Sequence, residues 1–423
     1  MQGFMHGCYM NNFDEMLALL YGENSVESQK VRYNKAEKEF QNIYGVNENV
    51  QVFSAPGRTE IGGNHTDHNC GCVLAASVDL DVIAFVTQTE NTIISITSEG
   101  FPRDDIDISD LSVKHNETNT SAALIRGVAA GFVKRGYKIG GFNAYTTSNV
   151  LKGSGISSSA AFEVLVGNIL SHLYNDGQVS PVEIAQIAQL SENLYFGKPS
   201  GLLDQMASSV GGFITIDFKD TSNPIIDEIK YNFASSGYSL CIVDTKGNHA
   251  NLTHEYAAIP MEMKSVAEYF GKNELRDITY EMLWDNITEV RTKCGDRAVS
   301  RAFHFFNEND RVCREANALK NQDIDTFLRE VNASGNSSFK YLQNIFSVGD
   351  PREEGVVLGL YTAERILNGR GACRVHGGGF AGTIQAFVPN DILDYFISEM
   401  EYLFGKRSCH KLYIRPIGGT KVK

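Results

Sequence analysis

The strongest constraint on the fold of this chain is a glycine-rich polar stretch, residues 54–72 (SAPGRTEIGGNHTDHNCGC), between two apolar runs. The run VQVF precedes it and VLAASVDLDVIAFV follows it, and both have the composition of β-strands. Proline interrupts regular strand pairing, so we expect a short strand QVFSAP that ends at Pro56. The stretch therefore predicts a turn between two strands, and that turn is crowded with polar side chains.

Strands and helices mix along the rest of the chain without a strict strand–helix–strand alternation. The predicted helices include those over residues 11–45, 121–136, 180–197 and 390–405. Ser180 and Asn390 are the expected N-caps of the last two, and Pro181 suits the first helical position. Residues 99–113 are expected to form a polar connection. Strand pairs that look antiparallel favour an α+β fold over a doubly wound parallel sheet.

The length of 423 residues is enough for two packed domains. Segments rich in β-formers concentrate in the first half, helices dominate the middle of the second half, and residues 221–237 interrupt the pattern. We therefore expect an N-terminal α+β domain over residues 1–225 and a C-terminal α+β domain over residues 226–423.

Charge and composition exclude several classes of partner. The net charge is −13 and no dense run of Lys and Arg is present, so we expect no nucleic-acid partner. The eight cysteines form no CxxC pair, which is typical of free thiols in a reducing cytosol. No signal peptide and no apolar run of roughly 20 residues is evident, so we expect a cytoplasmic protein without a membrane partner.

A second glycine-containing loop, residues 152–161 (KGSGISSSAA), leads directly into an apolar helix. Glycines let backbone N–H groups converge, the helix start adds its dipole and unpaired amides, and serine hydroxyls can bind phosphate or Mg²⁺. The pattern GxxxxGK[ST] is absent here. Two interpretations stay open from this loop: a phosphate-binding loop, or a tight turn before a serine-capped helix.

Two further turns each allow two interpretations. Residues 376–383 (HGGGFAGT) permit close approach of a backbone or a ligand, and a structural hairpin explains them equally well. Asp204 follows a Pro-Ser-Gly turn within residues 197–205 (GKPSGLLDQ). Such an aspartate is either a helix cap or a catalytic carboxylate.

Taken together, these motifs resemble the GHMP kinase superfamily and, within it, the galactokinases. GRTEIGGNHTDHNCGCVL resembles the galactokinase signature GRVNLIGEHTDYNGG, and KGSGISSSAAFEV resembles the phosphate loop of the superfamily. SENLYFGKPSGLLDQ is similar to the segment that carries the magnesium glutamate and the catalytic aspartate. VDTKGNHANLTHEY, RAFHFFNENDRV and HGGGFAGT resemble further family motifs, in the family's order along nearly the whole chain.

The resemblance implies a two-domain GHMP kinase-like fold, with the active site in the cleft between the domains. It also implies a kinase that uses ATP and Mg²⁺ to phosphorylate the anomeric hydroxyl of a sugar.

Asp204 would take or orient the proton of sugar O1, and Arg58 would neutralise charge on the transferring phosphoryl group. The residues implied to bind the triphosphate are Gly153, Gly155, Ser157, Ser158, Ser159 and Ala160. Those implied to bind Mg²⁺ are Ser158, Ser159 and Glu192. Those implied to bind the sugar are Asn64, His65, Asp67, Gly201 and Tyr256.

The chain departs from the family pattern at the residues that select the sugar. Asn64 stands where the signature has Glu, whose family role is to contact the C6 hydroxyl, and His68 replaces a tyrosine. In the family, a Ser-Glu-Tyr motif at the end of the segment that VDTKGNHANLTHEY resembles is followed by paired arginines. These arginines are absent here, where residues 257–261 read AAIPM. The implied catalytic residues are all present.

Three hypotheses follow from this pattern. The main one is a galactokinase that makes galactose 1-phosphate, as a monomer or homodimer. The second is a related anomeric kinase with an altered C6 preference, for galacturonate, N-acetylgalactosamine or arabinose, because Asn would not repel a carboxylate as Glu does. The third is a catalytically inactive galactose sensor on the same fold.

Overall fold

The computed structural model describes residues 12–150, 156–198, 200–247, 252–347, 349 and 351–423. The strands are β1 (Gln51–Gly62), β2 (Cys72–Gln88), β3 (Ile93–Ser98), β4 (Asp104–Asp107), β5 (Phe142–Ser148), β6 (Phe213–Asp217), β7 (Ile225–Ile229), β8 (Tyr238–Asp244), β9 (Ala372–His376), β10 (Thr383–Pro389), β11 (Cys409–Leu412) and β12 (Thr420–Lys421). The helices are α1 (Asn12–Tyr21), α2 (Val26–Tyr44), α3 (Ser121–Lys134), α4 (Ser158–Tyr174), α5 (Pro181–Leu190), α6 (Leu203–Val210), α7 (Thr253–Tyr269), α8 (Tyr280–Asp285), α9 (Ile287–Cys294), α10 (Asp296–Lys320), α11 (Ile324–Ser337), α12 (Gly355–Leu367) and α13 (Leu393–Phe404).

The strands form two sheets. The first sheet has the order β12-β1-β2-β5-β3-β4, and β6 pairs with both β2 and β7. The second sheet has the order β11-β8-β10-β9. In the described part of the chain, β3 and β5 are the one parallel pair, and the other pairs are antiparallel. The predicted α+β class is confirmed.

Strand β1 is longer than the sequence predicted, because Pro56 does not end it. The strand continues to Gly62 and changes register between Pro56 and Arg58 and again between Glu60 and Gly62. A bulge tolerates proline because the residue there need not donate a ladder hydrogen bond. Arg58 and Glu60 therefore lie in a strand, and the turn itself is limited to residues 63–71.

Other local predictions have mixed outcomes. The predicted helix over residues 11–45 is interrupted at Gly22, where φ is 80°. Strand β4 lies within residues 99–113, where a connection without a strand was expected, and it pairs with β3. Asn390 is not an N-cap, since α13 begins at Leu393.

The prediction for α5 is confirmed. Ser180 accepts a hydrogen bond from the Glu183 amide in a capping box, and Pro181 occupies the first turn.

The predicted two-domain division at residue 225 stays a prediction, but one strand that spans it and one strand beyond it join the N-terminal sheet. Strand β7 begins at Ile225 and pairs with β6, and β12 pairs with β1 near the end of the chain. Both strands belong to the first sheet, so residues beyond the predicted boundary complete the N-terminal sheet. Among the described residues, no helix combines the length and the apolar composition that a bilayer span requires.

Helix α10 carries a buried group of charges behind β1. Glu308 and Glu315 are completely buried, and Glu308 is paired with Arg311. Within the described residues, neither carboxylate oxygen of Glu315 has a hydrogen-bond partner. Glu315 packs against Gly62, where a side-chain Cβ would collide with its Oε2. Burial raises the pKa of Glu315 well above its ordinary value, and the nearby Glu308 adds to the increase.

This arrangement predicts opposite effects of two matched substitutions on stability. A raised folded-state pKa means that the folded protein loses stability as pH increases above about 4.5. We therefore expect Glu315→Gln to increase the free energy of unfolding at pH 8, by about 1.4 kcal/mol for each unit by which the folded pKa exceeds the unfolded one, and to change it little near pH 4.

Glu308→Gln is the control, because the pKa of Glu308 is lowered. Burial opposes this decrease, but His304 and Arg311 outweigh it. Its contribution is present above the unfolded pKa and is lost as pH decreases, so Glu308→Gln should destabilise the protein at pH 8. Denaturant unfolding at both pH values measures the two effects. A Glu315→Gln protein that is less stable than the wild type at pH 8 would contradict the prediction.

Candidate active site

The residues of the opening motif line a polar cavity of about 230 Å³. Four segments of the chain meet there: the end of β1, the turn after it, residues 198 and 200–204, and the glycine turn after β9. The lining residues are Arg58, Glu60, Asn64, His65, Asp67, His68, Lys198, Ser200, Gly201, Leu203, Asp204, Gly377 and Gly378. These residues are far apart in the sequence, and both sheets contribute to bringing them together.

Arg58 and Asp204 form the ion pair on one wall of this cavity. Arg58 Nε and Nη2 donate to Asp204 Oδ1 at 2.7 and 2.6 Å, and the Ser157 hydroxyl donates to Oδ2. The N-cap of α6 is Leu202, and Asp204 does not cap the helix. The interpretation of Asp204 as a helix cap is therefore wrong. Its carboxylate is instead held by two partners from distant segments and is 28% exposed, so a ligand can reach it.

Glu192 is the centre of a hydrogen-bonded group next to this pair. Its Oε1 accepts from Ser159 Oγ at 2.9 Å and from Lys198 Nζ at 3.0 Å. Its Oε2 accepts from Ser200 Oγ at 2.7 Å and Gln205 Nε2 at 2.8 Å. Glu192 lies in a π-helical segment, Ser191–Phe196, that directly follows α5. The carboxylate is 2% exposed, so its orientation is determined by the surrounding protein.

Helix α4 begins beside both carboxylates. Ser157 precedes it with a positive φ of 57°, and its side chain bonds to Asp204 rather than capping the helix. Ser158, Ser159 and Ala160 form the first turn, whose amides have no partner within a helix. The helix start therefore offers N–H donors to an anion. Gly153 and Gly155, also predicted to bind the triphosphate, lie outside the described residues.

His65, Asp67 and Gly201 lie together in the cavity, as the resemblance implied. His65 Nε2 donates to the carbonyl of Gly378 at 3.0 Å, and burial together with the neighbouring His68 lowers the pKa of His65 to about 4. His65 is therefore neutral at physiological pH. Asp67 Oδ2 faces Gly201, where a Cβ would be 2.6 Å away, so this close approach requires glycine.

Asn64 has a different environment from the one predicted. Its Nδ2 donates to Glu60 Oε1 at 2.9 Å and to the Gly377 carbonyl at 2.8 Å. Its Oδ1 accepts from Asn344 at 2.8 Å and from Ser338 at 3.3 Å. An amide side chain has two donor hydrogens and two acceptor lone pairs, so these contacts saturate it. Asn64 lines the cavity but is fully buried. Its direct contact with a sugar stays a prediction that these internal hydrogen bonds do not favour.

Tyr256 lies behind the cavity rather than in its lining. Its hydroxyl donates to the Gly379 carbonyl at 2.9 Å, and its ring is edge-on to Phe380. The ring also lies so close to Gly378 that a Cβ there would be 2.7 Å from Cε1. The structure thus shows Tyr256 as support for the glycine turn, and its role in sugar binding stays a prediction.

The glycine turn at residues 376–383 is a contact surface between the two sheets. His376 Nε2 bonds to Thr59 Oγ1 at 3.1 Å, while Gly377 and Gly378 accept from Asn64 and His65. The turn therefore holds the side chains of Asn64 and His65 in place at the cavity.

Sequence reasoning did not assign a role to Glu60, Lys198 or Ser200, which also line the cavity. Glu60 is two residues from Arg58 on the same strand, and side chains at that spacing share a face. A strand prediction extended beyond Pro56 would have placed both residues on the cavity side. No sequence pattern indicates Lys198 or Ser200, whose contacts depend on how the chain turns before α6.

Comparisons with known proteins agree with this geometry. Residues 38–88 match the galactokinase galactose-binding signature, and residues 123–212 match the N-terminal domain of GHMP kinases. A galactokinase of Haemophilus influenzae is 30% identical over 349 residues, which are 80% of this chain and 85% of that protein. A galactokinase of Streptomyces coelicolor is 27% identical over 86% of this chain and 91% of its own length.

Solved structures show the same fold. A structure of Lactococcus lactis galactokinase complexed with galactose has a TM-score of 0.77 and 25% identity, and the match covers 92% of this chain and all of that one. A mevalonate kinase of Methanococcus jannaschii, at 15% identity and a TM-score of 0.60, shares the fold. The chain belongs to the galactokinase family of the GHMP kinases.

Proposed function

We propose that the protein transfers the γ-phosphoryl group of ATP to the anomeric hydroxyl of galactose, which yields galactose 1-phosphate and ADP. The observation that carries this proposal is the Arg58–Asp204 pair at the wall of a polar cavity, directly beside the start of α4. The likeness to a galactokinase complexed with galactose supports galactose as the sugar.

The two sides of the site have separate tasks. The amides at the start of α4 bind the phosphates, while His65 and Asp67 bind the sugar. Asp67 suits this task because an ionised carboxylate accepts hydrogen bonds from sugar hydroxyls. The sugar O1 then lies between Asp204 and the γ-phosphorus, so that it can pass its proton to Asp204 while it attacks phosphorus opposite the ADP oxygen.

The transfer exchanges one P–O bond for another. Oxygen O1 of the sugar forms a bond to the γ-phosphorus, the bond to the ADP oxygen breaks, and the proton of O1 passes to Asp204. Arg58 has two roles, because it holds Asp204 as an anion and adds positive charge where the phosphoryl group moves. Such charge stabilisation and positioning provide most of the catalysis in phosphoryl transfer.

The donor set around Glu192 fits Mg²⁺. Glu192 and Ser159 present oxygen atoms 2.9 Å apart beside the start of α4, and Mg²⁺ is ordinarily bound by one or two protein oxygens together with substrate phosphates. Lys198 is paired with Glu192 and is 56% exposed, so its ammonium group is free to move away when a cation binds. We propose Glu192 and Ser159, with Ser158 nearby, as the residues that hold the ion. When bound, it neutralises charge on the phosphates.

The inactive sensor is not favoured by any observation. Arg58, Asp204, Ser159 and Glu192 are brought together by hydrogen bonds in the arrangement that phosphoryl transfer needs. A protein that only binds sugar does not need this arrangement.

The first test of the function is Asp204→Asn. This change keeps the shape of the side chain and removes the proton acceptor, so kcat with galactose should decrease by about 10²–10⁴-fold. ATP affinity, measured by calorimetry, should change little, because Asp204 faces the sugar O1 rather than the nucleotide. A large loss of ATP affinity would show that Asp204 is misplaced in this scheme. The wild type must phosphorylate galactose in the same assay for the proposal to stand.

The second test concerns Mg²⁺. Glu192→Gln should raise the Mg²⁺ concentration needed for half-maximal activity by about tenfold or more, because an amide binds this ion more weakly than a carboxylate.

Glu163→Gln is the matched control for this test. Glu163 is buried in the same hydrogen-bonded group, where its Oε2 accepts from Gln205 at 3.3 Å. It is connected to Glu192 through Gln205 and is not one of the proposed Mg²⁺ ligands. Its change should leave the Mg²⁺ requirement near that of the wild type. An equal shift in both variants would indicate a general structural effect and would count against Glu192 as a ligand.

A further inference from the structure

We propose that Glu60, rather than Asn64, binds the C6 hydroxyl of the sugar and makes the site selective for a neutral hydroxymethyl group. The inference rests on the proposed galactokinase function and names a residue that selects its substrate. In the resembling family the carboxylate belongs to the position of Asn64. In this chain a carboxylate is present four residues earlier, and the two side chains are in contact.

The hydrogen bonds of Glu60 engage one of its two carboxylate oxygens. Its Oε1 accepts from Asn64 Nδ2 and from Arg374 Nη2, both at 2.9 Å. In the described part of the chain, no donor contacts its Oε2. Glu60 lines the cavity, and its side chain is 13% exposed. The second oxygen is therefore the acceptor that a bound ligand can use.

Glu60 lies on the same strand as Arg58, at a distance from the reacting atoms. Arg58 and Glu60 share one face of β1, and the register is regular between them, so their Cα atoms are about 7 Å apart. Arg58 marks the O1 end of the sugar because it pairs with Asp204. Glu60 therefore faces the end of the sugar away from O1, where the C6 group is located.

Arg374 and Asn64 support the Glu60 carboxylate rigidly. Arg374 is completely buried, and it also donates to the carbonyls of Ile61 and Val375. Asn64 is fixed by Gly377 and Asn344. These two donors hold Oε1 and leave Oε2 as the oxygen available at the cavity that Glu60 lines. Asn64 is therefore a positioning residue for Glu60. A pre-oriented acceptor binds a hydroxyl without a further ordering cost.

The substrate preference follows from the chemistry of the Glu60 carboxylate in its charged form. Burial raises the pKa of Glu60, and the paired Arg374 and the hydrogen bond from Asn64 oppose that increase. The charged carboxylate accepts a hydrogen bond from a hydroxyl, has no donor for an acceptor-only group, and repels another carboxylate. Glu60 therefore favours galactose over 6-deoxygalactose and over galacturonate. The alternative of a galacturonate kinase depended on the absence of a carboxylate at Asn64, and Glu60 removes that reason.

The decisive experiment measures kcat/KM for galactose, 6-deoxygalactose and galacturonate in the wild type and in Glu60→Gln. The wild type should prefer galactose over 6-deoxygalactose by about ten- to a hundredfold, the usual effect of one hydrogen bond to a charged group. In Glu60→Gln, the amide oxygen takes the place of Oε1 opposite Asn64 and Arg374, and the NH₂ group then faces the cavity. This donor suits a carboxylate, so the ratio of galactose to galacturonate should decrease by at least about tenfold.

Asp67→Asn is the matched control, because it makes the same acid-to-amide change in the same cavity. It should lower kcat/KM for the three sugars together and leave their ratios within about threefold of the wild type. Thermal unfolding verifies that both variants are folded, and Glu60→Gln keeps an acceptor for Arg374.

Three results separate the possible failures. If the wild type does not phosphorylate galactose, the proposed function fails. If it does, but accepts 6-deoxygalactose equally well, Glu60 does not bind the C6 hydroxyl. If Glu60→Gln leaves the ratio of galactose to galacturonate unchanged, or Asp67→Asn shifts it as much, Glu60 is not the selecting residue.

Discussion

The site depends on the hydrogen bonds that join the end of β1 and its turn to the second sheet. Arg374 on β9 donates to Glu60 and to the Ile61 carbonyl, while Asn64 and His65 donate to the carbonyls of the glycine turn that follows β9. Buried polar groups are costly unless they are paired, so these contacts offset the cost of burying the groups that make them. Glycine is needed at 378 and 379 because a side chain would collide with Tyr256 or with the Asn344 carbonyl. The cavity exists because the two sheets meet through this set of bonds.

Ion pairs within the site explain how an acidic protein can bind an anionic nucleotide and a neutral sugar. The net charge is −13, yet the carboxylates of Glu60, Asp204 and Glu192 are each paired with a cationic side chain. Pairing and hydrogen bonding offset the cost of placing these charges in a partly buried site. Local electrostatics therefore differ from the average of the surface. The start of α4 supplies further donors without adding a charged side chain.

Much of this site was predictable from residues, and the two differences have separate physical origins, one local and one long-range. The pairing of Arg58 with Asp204 and the clustering of His65, Asp67 and Gly201 agree with expectation, because motif order along the chain carries that information. The prediction ended β1 at Pro56, although the strand continues to Gly62. Arg58 and Glu60 were therefore not recognised as strand residues two positions apart that share a face. The sugar contact of Asn64 stays a prediction, and its hydrogen-bond partners Gly377 and Asn344 were not foreseen because they are 313 and 280 residues away. No local pattern reveals such partners.

The sequence by itself determined the α+β class, the family, and which residue types are available for phosphoryl transfer, because these depend on local propensity and on motifs that are contiguous in the chain. The tertiary structure decided which of those side chains line the cavity and which are satisfied within the protein. Asn64 and Glu60 are neighbours in one motif, yet one is saturated by internal hydrogen bonds and the other keeps an oxygen for the cavity. That difference arises from Arg374, Asn344 and the glycine turn. These groups come from distant parts of the chain, and folding brings them to β1.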